Sequence, residues 1–100
     1  MLYVLLLNYV KPLPEIERLI PAHREFLKRN YAAGLFLVSG PKEPRDGGVI
    51  LARIDGGLDA VQALIAGDPF LIEGAATYEI VAFHALWTAE GLEWLRPGQD

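Results

Sequence analysis

Leu2 to Tyr9 run Leu-Tyr-Val-Leu-Leu-Leu-Asn-Tyr, apolar at odd and even positions alike, and the run closes at Lys11-Pro12. Alternate residues of a strand point to opposite faces, so this pattern predicts a strand covered on both. From Pro14 the period changes. Ile16, Leu19, Ile20, His23, Phe26, Leu27 and Tyr31 recur at three- and four-residue spacing, with Glu15, Glu17, Arg18, Arg24, Glu25, Lys28 and Arg29 filling the other side. This is the stripe of an amphipathic helix. Pro21 has no backbone donor and crowds the carbonyl of Glu17, so the helix is expected to kink there or to restart with Pro21 in its first turn. Gly34 is expected to end it.

Two short apolar runs follow, Leu35 to Ser39 and Val49 to Ile54, separated by a loop containing Pro44, Asp46, Gly47 and Gly48. They predict two strands. Leu58 to Ala66 reads as a second helix, with Asp59 in the first turn where the helix dipole favours it and Gly67 at the end. Asp68-Pro69 starts a further short turn, and Thr77 to Trp87 reads as a fourth strand, apolar on both sides. The tail beyond Thr88 carries Leu92, Trp94 and Leu95 and is expected to dock on the body. The order β-α-β-β-α-β is most simply satisfied by a ferredoxin-like α+β sandwich, an antiparallel sheet with two helices on one face.

Two helices cover only one sheet face, yet the strands are apolar toward both, Tyr3, Leu5 and Leu7 against Leu2, Val4 and Leu6, and Ile50, Ala52 and Ile54 against Val49 and Leu51. Leaving such side chains in water forfeits roughly 1.5–3 kcal/mol each, a large share of a total stability of about 5–15 kcal/mol. The expected solution is a homodimer, sheet against sheet, with the C-terminal tail and Trp94 as the alternative cover.

Composition narrows the function classes. At 100 residues and 52% hydrophobic, the chain is expected to be one domain, residues 1–100, with a packed core rather than a disordered segment. It has no cysteine, so disulfides, thiolate metal sites and a cysteine nucleophile are excluded. A net charge of −4 without a cluster of Lys and Arg argues against nucleic acid. The apolar stretch Met1 to Leu7 is too short for a signal or membrane span, so no membrane association is expected and the location is read as cytoplasmic. No pair of residues has metal-ligand spacing and no glycine motif cradles phosphate, so neither metal nor other cofactor is expected; Gly47-Gly48 and Gly56-Gly57 read as turn residues.

His23 sits on the apolar stripe, where leucine would suit the pattern better. It is either a core-edge histidine bonded to a backbone carbonyl or an imidazole lining a pocket and suited to acid–base work. Asp68 before Pro69 is a natural helix N-cap, and alternatively a carboxylate that holds His23 in one tautomer. Ser39-Gly40-Pro41 closes a strand and can present a hydroxyl and backbone donors to a ligand. His84 is expected at the sheet or dimer interface and receives no role.

His23 within Pro-Ala-His-Arg-Glu-Phe-Leu, then Gly34-Leu35, Ser39-Gly40-Pro41, Gly48-Val49 and Asp68-Pro69-Phe70, resemble in order and spacing the YCII-related (YciI-like) family of the dimeric α+β barrel superfamily. The resemblance spans nearly the whole chain and departs from the family at Tyr9-Val10-Lys11-Pro12, where a longer, more acidic stretch is expected. It implies a ferredoxin-like fold, a homodimer, a catalytic dyad of His23 and Asp68, and a substrate-binding neighbourhood of Ser39, Gly40 and Phe70. One characterised branch of that family is a dehydrochlorinase of a chlorinated hydroxyquinol, and related barrels include muconolactone isomerases. The implied activity is acid–base elimination, dehydrochlorination or isomerisation on a small cyclic or aromatic compound. A non-catalytic module binding a metabolite or protein, and a purely structural His–Asp contact, are the competing readings.

Overall fold

The computed structural model describes residues 1–97. The chain runs through β1 (Leu2–Tyr9), α1 (Leu13–Ala32), β2 (Phe36–Pro41), β3 (Gly47–Arg53), α2 (Gly57–Ile65), α3 (Pro69–Ile72) and β4 (Ala76–Phe83), with a turn of 3-10 helix at Glu93–Leu95. The strands pair antiparallel in the order β2-β3-β1-β4, and the helices lie on one face. This is the ferredoxin-like α+β arrangement expected from the element order. No helix among the described residues is long and apolar enough to cross a membrane.

The central place of β1 explains its unbroken apolar run. Tyr3, Leu5 and Leu7 are buried beneath the helices with Ile16, Leu19, Phe26, Val61, Ile65 and Phe70. Leu2, Val4 and Leu6 face the other way, where their register partners on β3 are Arg53, Leu51 and Val49. At one end of that open face Leu2 is buried, beside Leu95, Arg96 and the Arg53 side chain, whose guanidinium lies over the Trp94 ring. The tail therefore caps one end of the face. Val38 and Val81 remain exposed along the rest, and Phe83, opposite Leu2, is exposed as well.

Several local expectations are corrected. Of the two outcomes expected at Pro21, a restart is not what occurs: α1 passes through it as one helix. Pro21 and Glu17 both lie on the solvent side, so water can serve the carbonyl that Pro21 leaves without a donor. The helix ends as Gly34 suggests: Gly34 takes φ +76°, its N–H donates to the Tyr31 carbonyl, and the Leu35 N–H donates to Asn30, a Schellman ending that requires the left-handed region. β4 stops at Phe83 rather than reaching Trp87, because Phe83 pairs with Leu2, the first residue of β1, and no neighbouring strand extends further. His84 is thus exposed beyond the strand, and Trp87 is 94% exposed. Gly47 and Gly48 open β3 instead of forming the preceding turn. A Cβ at Gly47 would stand 1.8 Å from the Leu7 carbonyl oxygen, so only glycine permits β1 and β3 to approach there.

Candidate functional site

Asp68 is the pivot of the site. Pro69 occupies the first turn of α3 and Asp68 caps it, Oδ1 accepting from the Phe70 N–H at 3.0 Å. That bond satisfies a donor every helix start leaves unpaired. The same oxygen accepts from Nδ1 of His23 at 2.8 Å, across 45 residues of sequence. The other oxygen, Oδ2, accepts from the Tyr78 hydroxyl on β4. With 0% exposure the carboxylate has no water to rely on, and these three donors replace it. One side chain thus caps α3 and accepts from His23.

His23 reaches Asp68 from the apolar stripe of α1. Its side chain is 14% exposed and its ring is stacked on Phe70, with centroids 4.2 Å apart and planes 17° from parallel. Phe70 in turn meets the edge of Tyr9 at 5.8 Å. The imidazole is thereby fixed by a charge-assisted hydrogen bond on one side and an aromatic face on another. With Nδ1–H donating to Asp68, the nitrogen left for a ligand is Nε2.

Tyr78 was legible only as a strand residue. Its register partner is Leu7, which places it on the helix-covered face, and the site would be incomplete without its hydroxyl on Oδ2. Burial first, then the negative charge of Asp68 and the hydrogen bond to it, push ionisation of the phenol far above the ordinary tyrosine range. Tyr78 stays a proton donor to Asp68 at every physiological pH.

His23 and Phe70 form part of the wall of a pocket of about 330 Å3 between α1 and the sheet. Leu7, Ile20, Leu27 and Ile50 make it apolar, while Ser39, Gly40, Pro41 and Gly48 bring the ends of β2 and β3 to it. All five residues singled out from sequence therefore meet at one place: four line the pocket, and Asp68 stands behind His23. The Ser39 hydroxyl is engaged with that of Tyr31 at 2.6 Å, a pairing that makes it a polar anchor rather than an activated nucleophile, since no histidine is bonded to it. Arg24 and Arg45 complete the wall; in the sequence they read only as members of a solvated face and a loop. Among the described residues no three His, Cys, Asp or Glu side chains come together in a way that could hold a metal ion. The chemistry on offer is an imidazole, held by a buried carboxylate, on the wall of a small apolar cavity.

Known proteins resemble this chain in two ways. No curated protein sequence matches it. Among solved structures it is similar to 5-chloro-2-hydroxyhydroquinone dehydrochlorinase (TftG) from Burkholderia phenoliruptrix AC1100 in complex with 2,5-dihydroxybenzoquinone. The TM-score is 0.71 at 20% identity, over 84% of this chain and 95% of that one, a likeness of fold. The profile of the YCII-related domain matches residues 1–84, from the start of β1 to just past β4, and so takes in every residue of the site. The protein belongs to the YCII-related domain family.

Proposed function

We propose that this protein is an enzyme of small-molecule metabolism in which His23, held by Asp68, moves a proton on a cyclic or aromatic compound. The observation that carries this reading is the 2.8 Å bond from His23 Nδ1 to the fully buried Asp68 carboxylate, on the wall of a ligand-sized pocket. A carboxylate on Nδ1 selects the tautomer whose Nε2 is a base and stabilises the imidazolium that forms when Nε2 takes a proton. In an elimination, Nε2 would accept the proton of a saturated ring C–H or of a ring hydroxyl. The electron pair of that bond would form the new double bond, to carbon or as a carbonyl, and the leaving group would depart with its own bonding pair from a neighbouring or conjugated saturated carbon. In an isomerisation, the same proton would return to another carbon.

The neighbouring dehydrochlorinase supports a substrate of this size and shape, and a halogenated hydroxyquinol is the first compound to try. The homodimer belongs to the same reading. Val4, Leu6, Val49 and Leu51 lie half-covered on the open sheet face, with Val38 and Val81 exposed beside them, and a second copy packed sheet to sheet would remove them from water.

The test is turnover of 5-chloro-2-hydroxyhydroquinone and its non-chlorinated parent, followed by ring absorbance and chloride release, in wild type and His23→Gln. The expected loss is about 10²–10⁴-fold in kcat, the range of general acid–base catalysis, with the variant folded. Equal turnover by His23→Gln would remove His23 from the chemistry. Ligand binding unchanged by the substitution, with no turnover in either protein, would favour a binding module.

A further inference from the structure

The ionisable side chains on the pocket wall are unlike those of the chain as a whole. The chain carries 13 acidic and 9 basic residues, yet among the described residues no carboxylate lines the pocket, whose ionisable groups are Tyr9, His23, Arg24 and Arg45. Asp68, the nearest acid to His23, is fully buried and occupied by its three donors.

The two arginines are not equivalent. Arg45 is ion-paired with Glu17 at 3.4 Å, which offsets much of its charge. On α1, Arg18 and Lys28 find partners one turn away, Arg18 on Glu15 and Lys28 on Glu25. Arg24 has no such option: its neighbours at three- and four-residue spacing are Ile20, Pro21, Leu27 and Lys28, and side chains at that spacing are the ones that meet on a helix. It makes no hydrogen bond or ion pair among the described residues. An uncompensated guanidinium is thus set one residue after the candidate base, beside apolar walls of Ile20, Leu27 and Phe70.

We infer that the pocket selects a planar ring compound bearing an oxyanion, a carboxylate or an ionised ring hydroxyl, and that Arg24 is the group that holds the charge. This rests on the proposed reading of the pocket as a substrate site. A guanidinium presents a flat fork of N–H donors that matches two oxygens at once. Against low-dielectric walls such a pair is screened less than on an open surface. The apolar walls take the ring while Arg24 fixes its direction relative to His23 Nε2, the arrangement a proton transfer needs. A cavity near 330 Å3 lies at the small end of ligand sites, which suits one ring and its substituents.

The test is a binding titration followed by the ring signals of His23 in NMR, with three probes: 2,5-dihydroxybenzoate for the carboxylate, 2,5-dihydroxy-1,4-benzoquinone for the ionised hydroxyl, and neutral 2,5-dihydroxybenzamide. At least one anion is expected to bind about tenfold more tightly than the amide, the effect of one charge-assisted contact. That advantage is expected to disappear in Arg24→Gln and to shrink when salt is raised from about 0.05 to 0.5 M. The anion that gains more identifies the oxyanion. Arg24 is exposed, so the variant should fold, and thermal unfolding checks that it does. If the amide binds as tightly as both anions, or if Arg24→Gln weakens all three alike, the oxyanion inference is overturned while the ring-binding pocket stands. If none of the three moves the His23 signals, both fall together.

Discussion

Tyr78→Phe removes one oxygen and leaves the ring, so its effect isolates the bond to Asp68. In the wild type Oδ2 of the buried carboxylate accepts from the Tyr78 hydroxyl. In the variant that oxygen keeps its charge and loses its donor. Hydrogen bonds to charged groups are worth about 1.5–3 kcal/mol, and a stranded buried acceptor falls in the same range; we take about 2 kcal/mol at pH 8. In urea unfolding followed by circular dichroism, at one protomer concentration throughout, an m-value near 1 kcal/mol/M would lower the midpoint by about 2 M.

The pH dependence makes the test sharper. Burial and Asp68 raise the Tyr78 ionisation well above its unfolded value, so the contribution of Tyr78 to stability is complete below about pH 10, where both states keep the proton. Above about pH 10 the unfolded chain releases the proton and the folded chain retains it. Wild-type stability then falls by an extra 1.4 kcal/mol or so per pH unit, a slope Tyr78→Phe lacks at this position. An initial gap of about 2 kcal/mol would close near pH 11.5. A gap under about 0.5 kcal/mol at pH 8, or one that stays constant between pH 8 and 11, would refute the role given to this hydroxyl.

Asp68→Asn preserves shape and keeps one acceptor oxygen, but it removes the charge behind His23; on the proposed mechanism kcat falls by about 10²–10³-fold. Nitrogen-15 shifts should report neutral His23 as the Nδ1–H tautomer in the wild type and a mixture in the variant. Gly47→Ala would force a methyl carbon to within 1.8 Å of the Leu7 carbonyl oxygen. The β1–β3 contact would have to open, at a cost of about 3 kcal/mol or more read from urea unfolding; a loss below about 1 kcal/mol would contradict the close approach. Leu51→Glu places a charge in the middle of the open sheet face, and sedimentation should show a dimer in the wild type converted to folded monomer. A monomeric wild type would remove the dimer from the proposal.

Much of this protein was legible residue by residue. Helices and strands follow from period, since three- and four-residue spacing gathers apolar side chains on one side of a helix and two-sided apolar runs demand an interior strand. The stop at Gly34 and the cap at Asp68 are equally local, because left-handed backbone and an unpaired helix N–H are satisfied within a few residues. The apolar surplus on the second sheet face is also written in the composition of β1 and β3. The oddity of His23, a polar ring on an apolar stripe, marked the site without saying what it faced.

What remained for the tertiary structure was every feature that depends on two distant segments meeting. The packing of α1 against α3 makes the 45-residue separation of His23 and Asp68 into 2.8 Å. The register of β4 against β1 sets Tyr78 opposite Leu7, and so beneath the helices beside Asp68. The end of β4 depends on where β1 begins, not on the apolar residues that continue to Trp87. Arg24 and Arg45 share one pocket wall only because the β2–β3 loop brings Arg45 to Glu17 on α1. Periodicity is a property of neighbours along the chain, whereas a site is made by neighbours in space, and only packing and register convert the first into the second.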